Sequence, residues 1–247
     1  MGKLSKDPRA AMAVRIVIPL LVALTAVALV ACDSGDDGAA SPVPQDSGDA
    51  GAASSVPLAQ RFLTAADAPG TKADPVEKRQ ITADFDDFTA TLNEMAIDPD
   101  EGEVTAVFQA GFKGAGTDAR FFGKTHSQTA PHVFSSLIEL DSEASAKGAL
   151  DWLEADSMKP CPMSCAAQWS KFDVNSIPDA RGVHRLATAQ AIETAGTDNE
   201  IPFDSYWVGF TEGSTVYTVD VHGPPGSVSE EQALKIASAY YDRLSAM

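Results

Sequence analysis

The sequence predicts an α+β protein, a mostly antiparallel sheet with helices packed on it. Three observations carry this expectation. Short stretches in the second half alternate apolar and polar side chains, the period of half-buried strands. Turn residues join the last two of these strands into a hairpin across Glu212-Gly213-Ser214. Strand pairs are followed by helix starts at Asp141-Ser142-Glu143 and Ser229-Glu230-Glu231-Gln232, and hairpins followed by helices make antiparallel sheets.

In chain order, Leu58, Phe62 and Leu63 predict a short helix ended by Pro69-Gly70. Ile81, Phe85, Phe88, Leu92 and Met95 recur at steps of four and three, the stripe of one amphipathic helix. Asp98-Pro99-Asp100-Glu101 is a second helix start, with Val104, Val107 and Phe108 inward and Gly111 as its C-terminal cap. Strands are expected over 119–124 and 132–140. A helix bearing Ala146, Leu150, Trp152 and Leu153 follows. Shorter strands fall at 169–174 and 183–188, then 206–211 and 215–222, and a last helix turns Ala233, Ala237, Tyr240, Tyr241 and Leu244 inward. Strand, strand, capped helix therefore occurs twice, near 118–156 and 205–245. Both copies share an aromatic-then-glycine first strand (Phe121-Phe122-Gly123 and Tyr206-Trp207-Val208-Gly209), as an internal duplication would produce.

The first half of the chain sets the protein's address. Lys3, Lys6, Arg9 and Arg15 precede an uncharged run from Ile16 to Ala31, a basic region followed by an apolar one, as in a secretory leader. The run falls short of the roughly 20 residues that span a bilayer as a helix. It ends in Leu29-Val30-Ala31-Cys32, which resembles the bacterial lipobox. The resemblance implies cleavage before Cys32 and a diacylglyceryl (palmitate-type) thioether on that sulfur, anchoring the protein to the membrane from outside the cytoplasm. Residues 1–31 are then signal peptide. Residues 32–57 are a Gly/Ala/Ser/Pro stalk with five aspartates, too poor in large apolar groups to fold. As a flexible coil it reaches about 25–30 Å. The α+β domain is expected over 58–247.

The chain has a formal charge of −17, and the leader holds four of its bases against one acid, so the processed protein is more acidic still. Nucleic acid is excluded as a partner, because its affinity comes from basic groups that neutralise phosphates. Cys161 and Cys165, in Pro160-Cys161-Pro162-Met163-Ser164-Cys165, are expected to pair as a disulfide outside the cytoplasm. With Met158 and Met163 they are also a soft-ligand cluster of the kind that suits Cu(I).

No catalytic constellation stands out. His126, His132, His184 and His222 show no metal-ligand spacing, and no Gly-x-Ser-x-Gly elbow occurs. Gly111 to Gly116 lacks the Lys-Ser/Thr of a phosphate loop, and the acids around Asp84 and Asp98 lack calcium-loop spacing and suit helix first turns. No cofactor is expected. Phe122, Tyr206, Trp207 and Tyr217 lie on the proposed strands and would line an apolar groove if one face of the sheet were bare.

Leu29 to Cys32, Leu63-Thr64-Ala65-Ala66-Asp67 with Pro69-Gly70, and the stretch Val133 to Leu153 together resemble small actinobacterial cell-envelope lipoproteins and, more loosely, the extracellular sensor domains of mycobacterial membrane kinases. That resemblance implies a sheet-with-helices domain with a cleft and names no site residue. The expectation is a tethered, non-catalytic domain that binds a small ligand or an envelope protein. An envelope hydrolase built on His184 or His222, and Cu(I) handling at Met158, Cys161, Met163 and Cys165, are the alternatives.

Overall fold

A computed structural model of the chain describes residues 56–94, 101–126, 130–159, 168–190 and 200–247. The expected leader and lipobox and all but the last two residues of the expected stalk lie outside these residues, as do Cys161, Met163 and Cys165. No described helix is long and apolar enough to cross a membrane.

Among the described residues eight strands form one sheet: β1 (Thr71–Ala73), β2 (Gln80–Thr82), β3 (Gly114–Phe122), β4 (His132–Glu139), β5 (Gln168–Phe172), β6 (Arg181–Gln190), β7 (Glu200–Glu212) and β8 (Thr215–Gly223). The order is β1-β3-β4-β8-β7-β6-β5, with β2 also pairing β3, and every pairing is antiparallel. Five described α-helices accompany it: α1 (Leu58–Arg61), α2 (Phe85–Glu94), α3 (Glu101–Phe108), α4 (Glu143–Ser157) and α5 (Glu230–Ser245). The expected α+β class is the observed one.

Strand alternation divides the core into two layers. On one face Val133, Leu137, Phe210, Tyr217, Val219 and Val221 meet Ala233, Ile236, Ala237, Tyr240 and Leu244 of α5. On the other, Ala115, Ile138, Leu140 and Val216 meet Phe88 of α2, Val104 and Phe108 of α3, and Ala146, Ala149 and Leu150 of α4. Both long helices start as their sequences predict. Ser142 Oγ accepts the Ser145 N–H and Ser229 Oγ accepts the Gln232 N–H, each at 3.2 Å, satisfying donors that a first turn leaves free. The β7–β8 hairpin turns through Gly213 at φ +56°, where only glycine is relaxed.

Three expectations change. Ile81 does not extend the α2 stripe. It sits in β2 opposite Gly116, because the Asp84 carboxylate caps the backbone N–H groups of Asp86 (2.8 Å) and Asp87 (3.3 Å), so the helix begins only at Phe85. The strand expected from 119 begins earlier, at Gly114, and Gly116 is part of it: the Phe62 ring and the Gln80 carbonyl lie where a Cβ on Gly116 would go. The two strand–strand–helix units exist, but a duplication about the antiparallel β4–β8 seam would put both helices on one face. Here α4 and α5 lie on opposite faces.

Candidate functional site

The four aromatic residues expected to share a groove do not come together. Tyr206 and Trp207 are consecutive on a strand, so their side chains leave opposite faces. Tyr206, Phe122 and the fully buried Tyr217 join the α5 core, whereas Trp207 joins the α4 core. A cavity of about 240 Å³ lies instead beside α4, lined by Lys147, Leu150, Asp151, Asp179, Arg181 and Thr211. It is smaller than the usual ligand pocket, about 300–1,000 Å³, and none of the four rings lines it. Met158 is the C-terminal cap of α4, its backbone N–H donating to Ala155 O. Its proposed partners Cys161, Met163 and Cys165, and the expected lipidation site Cys32, lie outside the described residues.

What the fold does bring together is Asp74, His126 and His132. Asp74 follows directly on β1, and its backbone N–H donates to Ala119 O of β3 at 2.9 Å, fixing it beside the β3–β4 hairpin. His132 opens β4 opposite Phe121, and His126 belongs to the loop between those two strands. The Asp74 side chain is wholly buried and that of His132 is 8% exposed, whereas His126 is 23% exposed. Asp74 Oδ2 lies 3.1 Å from His126 Nε2 and 3.3 Å from His132 Nε2. All three atoms fall within 4.8 Å of one another.

Each group is held from behind. Asp74 Oδ1 accepts the backbone N–H of Val76 at 2.8 Å and of Glu77 at 3.0 Å, an Asx turn started by Asp74-Pro75. Burial pushes the carboxyl pKa up, but those two N–H groups and the neighbouring histidines outweigh it, and the group sits below the usual aspartate value. His132 Nδ1 is 2.6 Å from Ala130 O. A carbonyl oxygen only accepts, so Nδ1 donates in this contact and Nε2 is the ring atom left on the Asp74 side. The Phe121 ring packs edge-on against His126 at 5.5 Å, and the His222 ring lies 5.8 Å from His132 in a stack.

The cluster stands at one end of a row on the α4 face. Phe121, His132, His222 and Ser205 are successive partners across β3, β4, β8 and β7, and Phe134 stacks on His222 at 5.1 Å. Burial holds the His222 pKa below the ordinary histidine value, opposed by the Asp220 carboxylate. Ser205 Oγ donates to Asp220 Oδ1 at 2.7 Å rather than to a ring nitrogen. On the opposite face, His184 Nε2 meets Asp204 Oδ1 at 3.2 Å, and the His184 ring stacks on Tyr206 at 4.4 Å. Among the described residues no histidine hydrogen-bonds a serine hydroxyl, so neither His184 nor His222 is set against a nucleophile.

Sequence spacing missed this cluster because its members come from a strand end, a loop and a strand start. The signals present were Asp74-Pro75 and two histidines bracketing the β3–β4 loop.

The fold and site together define an antiparallel α+β sheet protein with a buried aspartate facing two imidazoles. No protein family matches the chain, and no curated protein matches it. Among solved structures, it is similar to the extracellular domain of PknH from Mycobacterium tuberculosis, at 13% identity and a TM-score of 0.46, over 77% of this chain and 95% of that one. So distant a likeness leaves the role of every residue here to be argued from this chain alone.

Proposed function

We propose that the protein is a lipid-anchored component of the cell envelope whose folded domain binds a target outside the cytoplasm and does not transform it. The carrying observation is the leader ending at Leu29-Val30-Ala31-Cys32, followed at once by an acidic stalk. The strong negative charge supports a partner other than nucleic acid or the anionic lipid surface itself. Among the described residues no histidine ring hydrogen-bonds a serine hydroxyl, and Ser205 is engaged by the Asp220 carboxylate instead, which supports binding over hydrolysis. A Cys161–Cys165 disulfide would fix the loop after α4, adding about 2 kcal/mol by closing so short a loop.

The intact mass of the protein purified from an actinobacterial host tests this reading. Loss of residues 1–31 and a gain of a diacylglyceryl group on Cys32 are expected. A retained leader, or a processed chain with an unmodified Cys32 thiol, would contradict it.

A further inference from the structure

We propose that Asp74 Oδ2, His126 Nε2 and His132 Nε2 form a binding site for a divalent late first-row metal ion of the zinc class. The inference is independent of the lipid anchor and would stand if that reading failed.

Geometry is the first support. Zinc binds imidazole nitrogen at about 2.0–2.1 Å and carboxylate oxygen at about 2.0–2.2 Å, so neighbouring ligands of a tetrahedral site sit about 3.3 Å apart. Asp74 Oδ2 lies 3.1 and 3.3 Å from the two ring nitrogens. The second support is an oxygen left without a partner. Asp74 Oδ2 is fully buried, yet no hydrogen bond reaches it: both nitrogens are close enough, but neither meets it along an N–H direction. A carboxylate buried unsatisfied is costly, and ligands that converge on a common ion are close to one another while pointing past one another.

Third, the outer contacts match those of metal sites. A ligating histidine usually donates its other ring N–H to a carbonyl or carboxylate, which fixes its tautomer. His132 does this to Ala130 O, and the Asp74 carboxylate is oriented by two backbone N–H groups on its other oxygen. A direct hydrogen bond from either ring would leave Oδ2 partnered, and it is not.

The donor set decides the class of ion. Two imidazoles and one carboxylate suit zinc and its late first-row neighbours, whereas magnesium and calcium take oxygen ligands. Three protein ligands leave a fourth position, as in zinc sites that accept water or an outside ligand. His126 is the most exposed of the three, so the ion enters from its side.

The test is a titration of the untagged, chelator-treated full-length chain in detergent with Zn(II) and Co(II). One equivalent is expected to bind, with a cobalt spectrum of nitrogen and oxygen ligands and no thiolate charge-transfer band. His126→Ala, at the half-exposed ligand, should weaken binding by at least about 100-fold, since even outer contacts of metal sites are worth 10–100-fold. It should also abolish the rise in melting temperature that zinc gives the unaltered chain. Asp74→Asn should do the same, and if that variant does not fold the His126→Ala result stands alone. Retained binding in the Cys161→Ser/Cys165→Ser chain is expected. Failure of the unaltered chain to bind either ion, binding unchanged by His126→Ala, or binding lost with the two cysteines would each overturn the proposal.

Discussion

Arg243 of α5 holds Asp67 with its Nε 3.0 Å from both carboxylate oxygens. The same guanidinium donates from Nη2 to Phe62 O at 2.7 Å, and Asp67 Oδ2 accepts the Thr64 N–H at 2.7 Å. The segment after α1 is thus pinned to the last helix, and Phe62 and Leu63 are carried into the α5 core. The aspartate is 3% exposed and its partner 22%, so the pair is only partly screened. Arg243→Leu leaves a buried carboxylate with no ion partner. It should lower stability by about 2–3 kcal/mol, somewhat below the cost of breaking a fully buried pair. Urea unfolding checks this, and a midpoint unchanged from the native chain would show that the pair is not needed.

Gly116 and Gly148 make opposite predictions for the same substitution. Gly116→Ala drives a methyl against the Phe62 ring and the Gln80 carbonyl, and should cost about 1–3 kcal/mol by overpacking. Gly148 lies within α4 with nothing within 4 Å of an added Cβ, so Gly148→Ala should gain about 0.5–1 kcal/mol from helix propensity. Thermal melts of the two variants should move in opposite directions.

Tyr240 makes stability fall in alkali. Its ring is fully buried between Phe210 and Tyr217, and burial pushes its hydroxyl pKa well above the ordinary tyrosine value. Burial raises Tyr217 in the same direction. The unfolded chain ionises first, near pH 10, while the folded chain keeps its proton. Stability is therefore fully present below about pH 10 and lost as pH climbs from there toward the folded value. Tyr240 Oη has no hydrogen-bond partner among the described residues. Tyr240→Phe should thus be nearly neutral or slightly stabilising at pH 7, and should flatten the loss above pH 10. Denaturant midpoints across pH 7–11 measure both effects.

Local chemistry made much of this fold readable. Ser142 and Ser229 cap as their sequences require, the Gly213-Ser214 turn closes the β7–β8 hairpin, and the inward set of α5 follows its helical period, with Tyr241 half-buried rather than buried and Ile236 added. The short strands β1 and β2 were not readable. Three residues carry too little alternation, and both depend on the long edge of β3, which pairs β1 through Phe122–Arg120 and β2 through Thr117–Ala115. The groove reading erred in physical terms at one point. Adjacent strand residues such as Tyr206 and Trp207 are separated by the sheet itself, so an aromatic-rich strand is not a one-sided surface. Asp74, His126 and His132 were hidden for the opposite reason. Asp74 is some fifty residues from the two histidines, and only the pairing of β1 and β4 on either side of β3 brings their elements together.

The proposed function depends most on a tether at Cys32, and membrane partition of a Cys32→Ser chain tests it directly. After cell fractionation and a carbonate wash, the unaltered protein should stay with the membrane and the Cys32→Ser protein should be found in the soluble extracytoplasmic fraction. If Cys32→Ser stays as firmly membrane-bound as the native chain, the tether lies elsewhere and the proposed function is contradicted.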